Sequence, residues 1–215
     1  MERDGLTQTL VGAALLYLLE FILIAALFTE HWALTVQHRE ESWLRDWLGE
    51  VATTEIIART ERWYGAAFVE SGAARATYDW MIPSEDERAR SGAFAKVGET
   101  TLYPFLKRRL DSVWRSFYQA TERLAELFEW APLLALALLG FLLEGVLDRK
   151  IKQHGFAYAS PMRHRMGLYA LVALALLSLS VLVLPLPVHP LVIPVIALLG
   201  AVLLRTVIAN TQKKI

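Results

Sequence analysis

The sequence predicts an all-α membrane protein, with four transmembrane helices and a helical periplasmic domain between the first and the second. Three observations carry this. Apolar residues make up 55% of the 215 residues and charged ones only 20%, where a soluble domain of this size carries nearer a quarter charged. The apolar excess is gathered into four segments rather than spread along the chain. Between the first and second segments lies a long polar stretch that contains helical periodicity.

The elements follow in order. Leu6 to Phe28 holds a single charge, Glu20. Gly167 to Pro187 holds none, and both segments reach the roughly 20 apolar residues that a helix needs to cross the hydrocarbon core. Ala131 to Leu147, with one charge at Glu144, reaches that length by borrowing Leu124 to Trp130. Leu191 to Leu204 reaches it by running past Arg205 to Asn210. The leading Met1-Glu2-Arg3-Asp4 has no basic excess and the apolar run after it is longer than a signal-peptide core, so the first segment is expected to stay as a span.

Lys and Arg in short loops set orientation. Asp148 to Met166 carries Arg149, Lys150, Lys152, Arg163 and Arg165 against the single acid Asp148, and the tail carries Lys213 and Lys214. The turn Pro185-Leu186-Pro187-Val188-His189-Pro190 is free of Asp, Glu, Lys and Arg. The basic loop, the tail and the N-terminus are therefore expected on the cytoplasmic side, and the Pro-rich turn outside. The expected organisation is a transmembrane helix over 1–28, an outer helical domain over 29–125, and a three-helix transmembrane region over 126–215 with a cytoplasmic basic loop at 148–166. The outer segment has 13 basic and 15 acidic residues, which does not oppose this, because long loops translocate largely regardless of charge. Trp32 and Trp130 fall where its ends meet the outer membrane interface.

Two amphipathic helices stand out in that segment. Trp43, Leu44, Trp47, Leu48 and Val51 recur at helical spacing, opposite Arg45, Asp46 and Glu50. Leu106, Leu110, Val113, Trp114, Phe117, Leu124, Leu127 and Phe128 form a longer stripe. Pro104 opens it, where a missing N–H costs nothing. Phe105 to Ala131 contains neither Gly nor Pro, enough for roughly 40 Å of unbroken helix. Pro132 marks a kink at the membrane surface. Tyr64 to Tyr103, with the acidic run Glu85-Asp86-Glu87, shows no clear period and reads as loops with short helices. The apolar stripes either bury against one another or present Trp43, Trp47, Trp114 and Phe117 to a partner or to the bilayer.

Ionisable groups within a span are functional candidates by default. Glu144 and Arg205 lie at matching depth near the inner boundary, which fits a structural ion pair. Glu20 lies about eight residues, roughly 12 Å, below the outer end of the first span, with no group of matching depth on the other spans. It is protonated, bonded to a neighbouring helix, or faced by another protein's cation.

Several chemistries are excluded. The chain has no cysteine, so disulfides, thiolate metal sites and thiol catalysis are out. Its 22 basic residues balance 22 acidic ones, which argues against direct DNA binding through counterion release. It has no phosphate-binding Gly-rich loop and no nucleophile elbow. His31 and His38 share a helix face without a framing metal pattern, and the expected topology separates His154 and His164 from His189. We read no enzyme, no cofactor and no metal site.

The second half has a distinctive cadence. Pro132 opens a span that closes on Glu144-Gly145-Val146-Leu147-Asp148-Arg149-Lys150. A basic loop with Phe156, Tyr158 and His164 follows, then a span and the turn Pro185-x-Pro187-Val188-His189-Pro190. This resembles the integrating conjugative element membrane protein family, found in conjugative transfer regions, over residues 130–215, and elsewhere by layout. The family usually has Asp-Gly where this chain has Glu144-Gly145. The resemblance implies a component of a bacterial inner membrane beside the type IV secretion machinery or its coupling ATPase. With no motor or catalytic motif, the chain offers only surfaces, and a scaffold or adaptor is the expected role. Its expected partners are other inner-membrane proteins of a conjugation apparatus and the lipid bilayer, with an oligomer left open. The polar contacts would be Glu20, Glu144 and Arg205. The alternatives are a small transporter or channel subunit using Glu20, and a membrane sensor with a periplasmic domain.

Overall fold

The structure, a computed structural model, describes residues 2–84, 102–155 and 160–211. The acidic run at 85–87, the aromatics Phe156 and Tyr158, and the lysines at 213 and 214 lie outside the described residues. Among the described residues every regular element is a helix: α1 (Glu2–Leu27), α2 (Glu30–Tyr64), a π-helical continuation (Gly65–Glu70), α3 (Ala73–Met81), α4 (Tyr103–His154), α5 (Pro161–Val183) and α6 (Val192–Ala209). Local sequence accounts for the starts. Thr29 caps α2 by accepting a hydrogen bond from the Trp32 N–H at 3.3 Å. Pro104 and Pro161 stand in the first turns of α4 and α5, where a proline leaves no donor unsatisfied.

α2 is two helices joined at one residue. Gly49 takes φ 82° and ψ 168°, a backbone state that glycine enters without steric cost and L side chains rarely adopt. The apolar spacing over Trp43 to Val51 runs across this break. Leu44 is therefore buried, while Trp47 and Val51 are 56% and 77% exposed.

The chain divides into two compact units, Met1–Ala125 with Leu182–Pro187, and Glu126–Val181 with Val188–Ile215. The first is a helical bundle around the leading part of α4. An Arg109 Nη1–H donates to Phe28 O at 3.2 Å and Phe21 meets Phe117 at 5.4 Å between ring centres, so α1 runs antiparallel to α4. The first half of α2 brings Glu40 to Gln119 and Arg123. After the Gly49 reversal the second half returns, placing Arg59 on the Ala125 carbonyl and Tyr64 beside Trp114 and Tyr118. Leu44 and Ile56, from the two halves, close on Ala125 as the core at this corner. Phe68 then packs on Trp114 and Phe117.

This bundle has a polar interior. On α4, Ser112, Ser116, Gln119, Thr121, Glu122 and Arg123 are buried, whereas Leu124 is exposed. Leu110, Ala120 and Ala125 share this interior with the polar side chains.

The second unit packs the remainder of α4, with Pro132 inside it, against α5 and α6. A Cβ on Gly145 would stand 3.1 Å from Arg205 O, and one on Gly167 would stand 2.8 Å from Val207 Cγ2. Both glycines are where backbones approach closely, as small residues permit between helices in lipid. Leu127 and Phe128, early in this unit, are exposed. Among the described residues three helices, α4, α5 and α6, are long and apolar enough to cross a membrane; in α1 the corresponding stretch, Val11–Ile24, is shorter.

Candidate functional site

Each unit holds a polar cluster centred on one arginine. In the first unit the side chains of Arg123 and Glu40 are 3% and 6% exposed, with Arg123 Nη2 at 2.6 Å from Glu40 Oε1. An N–H of the Gln119 side-chain amide donates to Glu40 Oε2 at 2.9 Å. The guanidinium also donates to three carbonyls of the segment that ends α5 and turns toward α6: Leu182 O at 3.1 Å, Leu184 O at 2.9 Å and Leu186 O at 2.7 Å. Beside it, the Trp32 indole N–H donates to Pro185 O at 2.7 Å. A buried arginine is tolerable only when its charge is paired and its donors are largely engaged; here Glu40 pairs the charge and both terminal nitrogens, Nη1 and Nη2, donate to oxygens. The turn carbonyls gain donors in return, which matters because Pro185, Pro187 and Pro190 interrupt the regular ladder there.

In the second unit Arg205 Nη2 lies 2.6 Å from Glu144 Oε1 and 2.8 Å from Asp148 Oδ2. Lys152 Nζ donates to Ala209 O at 3.1 Å, satisfying a carbonyl at the end of α6. His164 Nδ1 lies 3.0 Å from Val207 O. The residues read as a basic loop stand largely on helix ends, with Arg149, Lys150 and Lys152 in the closing turns of α4 and Arg163 and Arg165 in the opening turn of α5. The three on α4 complement the negative end of that helix.

Of the remaining sequence candidates, Glu20 is 7% exposed on α1, next to the Phe21 that packs on Phe117. Trp114 and Phe117 are half-buried and join an aromatic group with Tyr64, Phe68 and Tyr118. Trp43 is half-buried, with Arg39 over its ring at 5.7 Å, and Trp47 is exposed. Burial, then the nearby charges of Glu122, Glu61 and Glu41, push the Tyr118 hydroxyl up to about 12 against the opposing effect of Arg115. Burial also raises Tyr64. These tyrosines line a cavity of about 270 Å³ with Tyr78, Asp111, Trp114 and Arg115. Among the described residues no three His, Asp or Glu side chains gather as metal ligands would.

Sequence reasoning missed Arg123, Glu40 and Gln119. The available signal was an arginine only a few residues before a long apolar run, the position where an arginine needs a dedicated partner.

The sequence matches the model of the DtrJ-like family, described as IncC plasmid conjugative DNA transfer protein DtrJ-like, over residues 29–213. The chain belongs to this family. The match covers both arginine clusters and the segment between α1 and α4 that the earlier resemblance reached only by layout. It places the chain among conjugative DNA transfer proteins, in agreement with the conjugative setting which that resemblance implied. No curated protein and no solved structure matches.

Proposed function

We propose that this DtrJ-like chain is a non-enzymatic scaffold or adaptor of conjugative DNA transfer in the bacterial inner membrane, working beside the type IV secretion apparatus or its coupling ATPase. The observation that carries the proposal is the division of its surface. The strongest polar groups of the helices are tied internally at Arg123 and Arg205, while the apolar faces of α4, α5 and α6 remain open. Such faces are available for packing against the helices of other membrane proteins.

The topology we propose has four spans, with α1 as the first and both termini cytoplasmic. The hydrogen bonds from Arg123 and Trp32 to the 182–186 segment support it, because they join the segment after α1 to the uncharged turn, so both lie on one side of the membrane. The basic ends of α4 and α5 then face the cytoplasm.

The test is purification of the full chain in mild detergent from cells carrying an active conjugative element, followed by mass spectrometry. Recovery of secretion or coupling proteins in fixed ratio is expected. Recovery as a lone monomer, with transfer frequency unchanged when the gene is deleted, would sink the adaptor. The buried position of Glu20 favours one second reading, a transport subunit. Glu20→Gln separates the two: a changed ion flux with the complex intact favours transport.

A further inference from the structure

Three helices of the first unit enclose a cavity of about 270 Å³ that takes no residue from either arginine cluster. Tyr64 closes α2, Tyr78 comes from α3, and Asp111, Trp114, Arg115 and Tyr118 come from α4. The walls are tied to one another. The Tyr64 O–H donates to Trp114 O at 3.4 Å, and the Trp114 indole N–H donates to Thr77 Oγ1 at 3.0 Å. The Tyr64 and Tyr118 rings meet edge to face at 5.3 Å. Four aromatic side chains thus frame the space, with one carboxylate and one guanidinium among them.

Asp111 and Arg115 are the informative pair. They stand four residues apart on one helix, where an acid and a base ordinarily meet. Glu41 and Arg45 do so at 3.9 Å, and Arg75 and Asp79 at 3.7 Å. Asp111 does not: among the described residues it forms no ion pair, and its Oδ1 accepts the Tyr78 O–H at 2.5 Å instead. Tyr78 reaches over from α3, so the carboxylate is held on the cavity wall by a neutral donor. Arg115 lines the same space, and its planar fork suits a carboxylate.

The cavity therefore presents both signs of charge without joining them. A ligand that suits it carries an ammonium and a carboxylate at once. Aromatic walls favour an apolar remainder, and their rings also attract an ammonium. The volume falls just below the roughly 300 Å³ at which sites for drug-sized ligands begin, so the ligand is small.

We propose that this cavity binds a free α-amino acid with an apolar side chain, its ammonium on Asp111 and its carboxylate on Arg115. The proposal goes beyond the adaptor reading and depends on neither the topology nor a conjugation partner.

Isothermal titration of the full chain, purified in detergent, tests it. L-phenylalanine and L-leucine are the probes. Phenethylamine and hydrocinnamate, which each keep one of the two charges, are the comparisons. At least one amino acid is expected to bind saturably, and L-phenylalanine about tenfold more tightly than either analogue, the effect of one lost charge-assisted contact. Asp111→Asn, whose amide oxygen still accepts from Tyr78, is expected to weaken L-phenylalanine about tenfold without weakening hydrocinnamate. Arg115→Gln is expected to weaken L-phenylalanine without weakening phenethylamine; should that variant fail to fold, Asp111→Asn alone decides. Saturable binding of neither amino acid overturns the proposal, and so does equal binding by wild type and Asp111→Asn. Equal affinity for phenethylamine overturns it in favour of a simple amine site. The purified chain contains no conjugation protein, so failure here leaves the adaptor standing, and failure to recover a complex leaves this site standing.

Discussion

Arg123 and Glu40 are 83 residues apart in sequence and meet at 2.6 Å with both side chains almost withdrawn from solvent. The pair joins α4 to the first half of α2, and the same guanidinium holds three carbonyls at 182, 184 and 186. Removing one side of such a cluster leaves the other charged and buried, which costs more than the intact pair contributes.

Arg123→Met is therefore expected to destabilise the chain by about 3–5 kcal/mol, read as a lowered midpoint of thermal unfolding in detergent. Glu40→Gln, whose amide oxygen still accepts from Arg123, is expected to cost about 1–3 kcal/mol. Wild-type stability in Arg123→Met would contradict the buried cluster.

Gly49→Ala forces an L side chain into a positive-φ conformation. A cost of about 1–2 kcal/mol is expected. The comparison is Gly140→Ala, in a helix with open space around the new methyl, where a neutral or slightly stabilising effect is expected. Equal behaviour of the two variants would mean that α2 is not reversed at Gly49.

Gly167→Ala places a methyl 2.8 Å from Val207 Cγ2. Overpacking of this kind costs about 1–3 kcal/mol. Val207→Ala removes the opposing methyls and is expected to restore part of the loss in the double variant. An additive double variant would show that α5 and α6 do not touch there.

Arg205 reaches two carboxylates, so the two sides of this contact respond unequally. Glu144→Gln leaves Asp148 in place at 2.8 Å and, for a partly exposed pair, is expected to cost less than about 1 kcal/mol. Arg205→Leu leaves two facing acids and is expected to cost more. Thermal midpoints of the two variants measured side by side decide it.

Tyr118 gives a pH dependence. Its hydroxyl, pushed up to about 12, stands above the ordinary tyrosine value of 10.0, so the folded state keeps a proton that the unfolded chain releases. That stability is present below pH 10 and is lost as pH rises through about 12. Tyr118→Phe is expected to flatten the alkaline fall in unfolding midpoint over this window. An unchanged slope would assign the loss to other groups.

The long apolar helices α4, α5 and α6 were legible in the sequence because unbroken apolar runs are a strong local signal. The long helix from Pro104 through Pro132 was legible for the same reason. The direction of its faces was not. Leu124, Leu127 and Phe128 look outward while Gln119 and Arg123 look inward, because periodicity reports that two faces differ and leaves open which solvent each one meets. Val51 escaped the core because the Gly49 reversal interrupts a spacing that looks continuous. The Arg123 partners could not be read at all: they are one distant glutamate and three carbonyls, and backbone atoms leave no trace in residue identity.

The discontinuity of the first unit also sets a timetable for the newly made chain. Arg123 leaves the ribosome 59 to 63 residues before the carbonyls that receive it, a delay of roughly 3–12 s at ordinary rates of synthesis. During that interval the bundle already has Glu40 but still lacks its last strip of backbone. A nascent chain stopped after α4 would carry a half-satisfied arginine, so completion of the first unit must wait until the segment that ends α5 has been made.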